Sequence, residues 1–249
     1  LKEGALEIKF GSTDPDSIQQ VAQRLRDMGL EEGKHFTVKM PEGGEAGYVY
    51  LRKEGLIHAA WLSVYGKDED QRKLAAEFVE HILQRAKDGG EEVRKKAEEI
   101  VKKGKERGSL ELEGFEKKVE VNGRTYVVKV KGGEAVEEDR GGRKLLRIRI
   151  TAEVGRVEGE HIVDRVVREY IITFGRYGRN MVLGFAAASA RAPGGKEADA
   201  ERPSALIEAL TGRKPKIIKR SDGQIVIECR RAHLDGFMRY KELANAIAK

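Results

Sequence analysis

A chain of 249 residues with 39% hydrophobic content is long enough for one large domain or two compact ones. No apolar run in it approaches the ~20 residues of a bilayer span, so no membrane partner is expected. A single cysteine, Cys229, excludes an internal disulfide and a cysteine-clustered zinc site, and suits a cytoplasmic protein. The formal charge of +6 is unevenly spread: residues 1–110 hold 20 Lys and Arg against 21 Asp and Glu, whereas residues 111–249 hold 28 against 21. The local excess favours an anionic partner for the second part. Charged residues at 36% are what ion-pair networks at high temperature need, and a thermophilic source is expected.

Ala5–Phe10 alternates Ala5, Glu7 and Lys9 with Leu6, Ile8 and Phe10, the period of a half-buried strand. Asp14 before Pro15 is an N-cap followed by proline at the first helical position. Ile18, Val21, Leu25 and Met28 then form one apolar stripe that Gly29 ends. Phe36–Met40 and Tyr48–Leu51 read as two strands joined by PEGGEAG. Helical pattern resumes near Leu56 and runs to Ala86, with a break at Gly66.

After Gly89–Gly90 the apolar stripe thins to Val93, Ala97, Ile100 and Val101, while Glu91/Lys95, Glu92/Lys96, Glu98/Lys102 and Glu99/Lys103 stand at i,i+4. This segment reads as a solvated helix bridging two units. The expected organisation is therefore a first βαββα unit over 1–88, a charged helical linker over 89–109, and a β meander with a second αββα unit over 110–249. From Leu110 to Phe174 the pattern is β. Asn122–Gly123 is a hairpin signal; Tyr126, Val128 and Val130 share one side of a strand, and Leu146, Ile148 and Ile150 alternate with Arg147, Arg149 and Thr151. Tyr170–Phe174 and Val182–Ser189 read as further strands about a GRYG turn.

The last part has a helix over Glu201–Leu210 ended near Gly212. Strands Lys216–Lys219 and Ile225–Cys229 flank Ser221–Asp222–Gly223, and a helix runs from Leu234 to Ala248. Opening on Leu1 and stopping inside a helical pattern at Lys249, the chain is expected to belong to a longer protein. The order strand, helix, Gly, strand, strand, helix occurs twice, from residue 5 and from residue 182. The expected fold class is α+β, with duplicated β-α-β-β-α units, packed about a pseudo-twofold axis, and a central antiparallel meander.

Basic residues fall on the expected strands: Lys129 and Lys131, Arg147 and Arg149, and Lys214, Lys216 and Lys219 with Arg220. Two-residue spacing puts Arg147 and Arg149 on one face, where guanidinium forks can hold phosphate or a guanine edge. These eight residues are the candidate nucleic-acid contacts. A polar outer face of an antiparallel sheet requires the same alternation.

GALEIKFGSTDPDSIQQVAQRLRDMGL and ERPSALIEALTGRKPKIIKRSDGQIVIECRRAHLDGFMRY resemble halves of the LAGLIDADG homing-endonuclease fold after each signature helix. The stretch from GGRKLLRIRITAEV through AHLDGFMRYKELANAIAK resembles an uncharacterised paralogous repeat family of hyperthermophilic crenarchaea. The first resemblance implies sheets lying in a DNA major groove and carboxylates holding Mg²⁺ for phosphodiester cleavage. Here LGFAAASARAPGG has Ser189 and Arg191 where an aspartate would be wanted, so no catalytic residue is carried over and no cofactor is expected.

Other constellations have plainer readings. Gly194–Gly195 before Asp199 and Glu201 lacks a P-loop or dinucleotide pattern and reads as a helix entry. Cys229 and His233 could form a nucleophile pair, but Cys229 shares parity with Ile225 and Ile227 and reads as core. Trp61 and Tyr65 read as a helix–sheet contact rather than a base-stacking pair; Glu228 and Asp235 could ligate a metal only if brought together. The expected function is binding of nucleic acid, double-stranded DNA first, through a basic sheet face without catalysis, with association to the archaeal nucleoid. The alternatives are a Mg²⁺-dependent LAGLIDADG-type endonuclease and a protein-interaction or self-association module. A small-molecule substrate is not expected.

Overall fold

The computed structural model describes residues 6–177, 181–189 and 192–247. Ala5, Gly178 of the GRYG turn, Arg191 and Ala248 lie outside them. The chain divides into two units, 1–106 and 107–249, and the fold is mixed α+β.

The first strand of unit 1, β1 (Ile8–Ser12), runs two residues past the expected Phe10, because Gly11 and Ser12 still pair with Tyr48 and Gly47. Asp14 caps α1 (Pro15–Asp27), its carboxylate accepting from the backbone N–H of Asp16 and Ser17. β2 (Phe36–Lys39) and β3 (Gly47–Leu51) follow, then α2 (Lys53–Tyr65), α3 (Glu69–Asp88) and α4 (Glu91–Glu106). The break at Gly66 is real: Asp68 caps α3 through the Gln71 N–H. The sheet order is β1-β3-β2 with both pairs antiparallel. β1 and β2 are thus parallel to one another, joined by α1, with β3 between them. Ile18, Ala22 and Leu25 of α1 and Leu56, Ala59 and Ala60 of α2 share one core with Phe36, Val49 and Leu51.

The segment expected as a solvated linker is part of this core. Ile100 and Val101 of α4 are buried in it, and Gly104 lies so close to α2 that an added methyl group would meet the Ile57 carbonyl and come within 2.6 Å of Ala60 Cβ. The thin apolar stripe is a narrow helix–helix seam, and the charged pairs, Lys95–Glu91 at 3.4 Å and Lys103–Glu99 at 3.1 Å, occupy the other faces.

Unit 2 contains β4 (Glu116–Val121), β5 (Arg124–Arg140), β6 (Arg143–Glu158), β7 (His161–Tyr177), β8 (Met181–Ala187), α5 (Gly195–Thr211), β9 (Lys216–Lys219), β10 (Ile225–Arg230), α6 (Arg231–Phe237) and α7 (Lys241–Ile247). The strands form one antiparallel sheet in the order β4-β5-β6-β7-β8-β10-β9. Asn122 and Gly123, both at positive φ, make the β4–β5 turn as a left-handed pair must. Bulges at Val130/Gly132 in β5 and Val154/Arg156 in β6 increase the local twist of the long strands. α5 starts six residues before the expected Glu201; Pro203 lies inside it. The last helix is split because Leu110 bridges to Tyr240, exchanging backbone bonds with Arg239 and Lys241. One face of the sheet carries Val128, Ile148, Ile150, Ile172, Phe174 and Ile227 into a core with Leu206, Ile207 and Leu210 of α5 and with Phe237, Tyr240 and Leu243.

The strand order β8-β10-β9 about α5 repeats β1-β3-β2 about α1. Each middle strand runs into an arginine, Arg52 just past β3 and Arg230 at the end of β10, whose extended backbone opens the next helix. The order of elements expected twice is therefore present twice, with the same pairing.

Replacing Gly104 with leucine forces α4 off α2. The variant should lose about 1–3 kcal/mol of stability, seen as a lower midpoint in thermal denaturation; an unchanged midpoint would restore the solvated-linker reading.

Candidate interaction face on the seven-stranded sheet

Residues directly opposite in neighbouring strands share a face, so the register defines what the side of the sheet away from α5 presents. One row runs Val136–Arg147–Thr173–Phe185–Glu228–Lys216 across β5, β6, β7, β8, β10 and β9. A second starts Glu134–Arg149–Ile171. Tyr177 opposes Met181, and Glu153 opposes Val167, on the same side.

Arg147 and Arg149 thus lie together on the outward face, but both are occupied. Arg147 pairs with Glu138 at 3.1 Å and is 17% exposed; Arg149 pairs with Glu134 at 3.6 Å and Glu138 at 3.5 Å. Lys129, also outward, pairs with Glu116 at 3.3 Å. Lys214 lies beyond α5 and reaches Glu208 at 3.9 Å. Lys219 opposes Ile225, which places it on the helix side, where it meets Glu197 at 3.4 Å. Lys131 is the extra residue of the β5 bulge, Lys216 ends the row above, and Arg220 opens the β9–β10 turn; these three are exposed and, among the described residues, have no acidic partner. The eight cations therefore do not converge on one free surface: acids on adjacent strands stand at bonding distance from Lys129, Arg147 and Arg149, and acids of α5 from Lys214 and Lys219.

Apolar side chains take much of the outward face. Val136, Val167, Ile171, Tyr177 and Met181 are among the exposed large hydrophobic residues of the chain, Met181 at 56%. Tyr177 meets Phe185 edge-on at 5.7 Å between ring centres. An exposed apolar patch rimmed by polar groups is the usual mark of a docking surface.

The opposite face holds a buried polar cluster that sequence reasoning missed. Asp199 and Arg202 of α5 are 0% and 2% exposed. The Asp199 carboxylate accepts from the Ser189 N–H at 2.6 Å, pairs with Arg168 of β7 at 2.9 Å, and lies 3.5 Å from Arg202. Arg168 also sits 4.6 Å over the Tyr170 ring. Two residues on, Glu201 accepts from the Tyr126 hydroxyl, from Arg124 at 3.1 Å and from Asn122 at 3.2 Å, tying the β4–β5 hairpin to α5. Burial, with Glu201 alongside, pushes the Tyr126 hydroxyl up to about 12, so it stays a donor. In sequence these acids look like ordinary solvated helix residues. The available signal was Arg168, a charge at the same parity as Tyr170 and Ile172, whose inward position demands a buried partner.

Cys229 is fully buried, and burial, with Glu228 next, pushes its thiol up to about 12, leaving no thiolate for a nucleophile. His233 spends Nδ1 on the Arg230 N–H, and burial lowers its pKa. Glu228 pairs with Arg230 at 3.5 Å. Among the described residues no group of three or more His, Cys, Asp or Glu side chains is placed to hold a metal ion.

No family model, curated protein or solved structure matches the chain. The resemblances to homing endonucleases and to the crenarchaeal repeat family rest on the quoted segments alone.

Asp199→Ala would leave Arg202 and Arg168 facing a buried void. Removing one partner of a buried pair costs about 3–5 kcal/mol; denaturant unfolding should show that loss in unit 2, with Asp199→Asn losing less. Equal stability of Asp199→Ala and the parent would show that the cluster holds nothing in place.

Proposed function

We propose that unit 2 is an association module whose outward sheet face docks on a second copy of the chain. The observation that carries this reading is the exposed apolar set on that face, interleaved with arginines already neutralised by neighbouring acids. Such a face gains by excluding water and offers little net charge to steer a polyanion.

A second copy fits the row of side chains. A twofold axis parallel to the strands and passing between β7 and β8 lays the row on itself. Arg147 then faces Glu228 of the partner subunit, Thr173 faces Phe185 of the partner subunit, and Val136 faces the aliphatic stem of Lys216 of the partner subunit. Closed, isologous contacts of this kind are the commonest in soluble oligomers. The repeated β-α-β-β-α order supports reading the two units as copies of one ancestral element.

Light scattering on the eluting protein should give twice the chain mass. Ile171→Asp combined with Met181→Asp should give a folded monomer, with the parent's circular dichroism and a somewhat lower melting temperature from the lost association, since both side chains are exposed. A monomeric parent protein at tens of micromolar would overturn the reading.

The three cations without acidic partners favour a second reading, contact with duplex nucleic acid at the bulge, the β9 edge and the hairpin turn. Lys131→Ala, Lys216→Ala and Arg220→Ala together should weaken duplex binding and flatten its salt dependence. Fluorescence anisotropy that shows the triple variant binding as the parent does removes this reading.

A further inference from the structure

We infer that the open face of the three-stranded sheet in unit 1 is a stacking platform for single-stranded nucleic acid. Alternation along β3 sends Val49 and Leu51 into the core, and therefore Tyr48 and Tyr50 to the other side. Both tyrosines are half-buried and stand on the middle strand, about 6.8 Å apart along it. The register surrounds them with cations and small residues. Lys9 of β1 and Thr37 of β2 flank Tyr50, while Gly11 of β1 and Lys39 of β2 flank Tyr48. Arg52 follows at the same parity. Its guanidinium is held against the sheet by Thr37 Oγ1, at 3.0 Å from Nη2 and 3.3 Å from Nε, and by the Gly33 carbonyl.

The chemistry of this face differs from that of the large sheet. Lys9 Nζ lies 4.2 Å from the centre of the Tyr48 ring, so one cation already sits on an aromatic face; among the described residues it has no carboxylate partner. Lys39 has Glu45 at 3.3 Å, an exposed pair that is worth little in water. Gly11 places no side chain beside Tyr48, and a methyl group there would meet only the Gly47 carbonyl, at 3.6 Å. Two outward rings on a sheet, one of them beside the side-chain-free Gly11, and three cations around them are the two parts that unpaired bases and their phosphates require. A duplex keeps its bases stacked on one another and offers such rings no face to bind.

Cross-strand Lys–Tyr contacts also stabilise sheets by themselves, and the test has to separate the two roles. The full chain is titrated into a fluorescein-labelled oligouridylate of about 15 nucleotides, a length that covers a sheet-type single-strand site. A blunt duplex of the same length is titrated in parallel. The parent protein should bind the single strand more tightly than the duplex, with a log–log salt slope near −2 for three cations. Tyr48→Leu and Tyr50→Leu keep the sheet apolar at those positions and should each weaken single-strand binding roughly 5- to 150-fold, with thermal midpoints close to the parent's. Lys95→Ala with Lys102→Ala, which removes two cations from α4, should leave single-strand binding nearly unchanged. Failure of the parent to bind the oligouridylate overturns the inference, as does parent-like binding by both tyrosine variants. Loss of single-strand binding in the Lys131, Lys216 and Arg220 triple variant, with the tyrosine variants unaffected, would also overturn it by placing the contact on unit 2.

Discussion

In-and-out alternation along the strands, held in phase by cross-strand register, is the constraint on which the rest of the molecule depends. A strand pair slipped by one residue would exchange every inward and outward side chain. In unit 2 the phase runs unbroken across six strands, so that Ile148, Ile172 and Gly184 fall on one side while Arg147, Thr173 and Phe185 fall on the other. The β5 bulge is part of the same logic. Beyond Val130, one extra residue, Lys131, returns Gly133 and Ala135 to the inward side opposite Ile150 and Ile148. Without it, β5 past that point would turn Glu134 and Val136 toward α5.

Charges on the two sides of the large sheet follow different physics. On the outward side Arg149 and Glu134 are partly solvated, and such pairs add little to stability while setting the local potential close to neutral. On the inward side Asp199, Arg168 and Arg202 have lost most of their water, and their mutual contacts offset a desolvation cost that hydrophobic residues would never incur. Buried groups of this kind serve best as registry devices. Asp199 fixes α5 to β7, and Glu201 fixes it to the Asn122–Gly123 hairpin, so the helix cannot slide by a turn without stranding both carboxylates. The same arrangement explains how α5 tolerates Pro203: anchoring at two acids and packing at Leu206, Ile207 and Leu210 hold a helix whose intrinsic propensity is poor there.

Much of the architecture was legible because it is local. Asp14–Pro15, the Asn122–Gly123 turn and the alternation of Leu146, Ile148 and Ile150 specify their elements by short-range sterics and hydrogen bonds. The matching orders of strands and helices were readable for the same reason. What escaped depends on partners distant in sequence. Whether the α4 stripe meets water or α2 is settled by Gly104 against Ile57, which no window around α4 contains. Likewise Arg147 looks like a free cation until β5 brings Glu138 beside it, and the break before α7 depends on Leu110, 130 residues from Tyr240. Charge counts along a chain report supply; register decides how much of that charge remains unneutralised.

The paired topology sharpens where the two units differ. Setting Arg52 and Arg230 in correspondence aligns Leu51 with Cys229 and Val49 with Ile227, and all four are buried. The outward positions between them do not agree: Tyr50 corresponds to Glu228 and Tyr48 to Val226. The inward side of a βαββ element is constrained by its helix, so small apolar residues recur there. The outward side is constrained only by what lies against it. In unit 2 the first strand, β8, is continued by β7 and the long meander, and the outward row becomes one stretch of a broad, nearly neutral face. In unit 1 the sheet stops at three strands, and the middle strand presents two aromatic rings among lysines and an arginine. The difference between the two outward rows is confined to positions that folding itself leaves open.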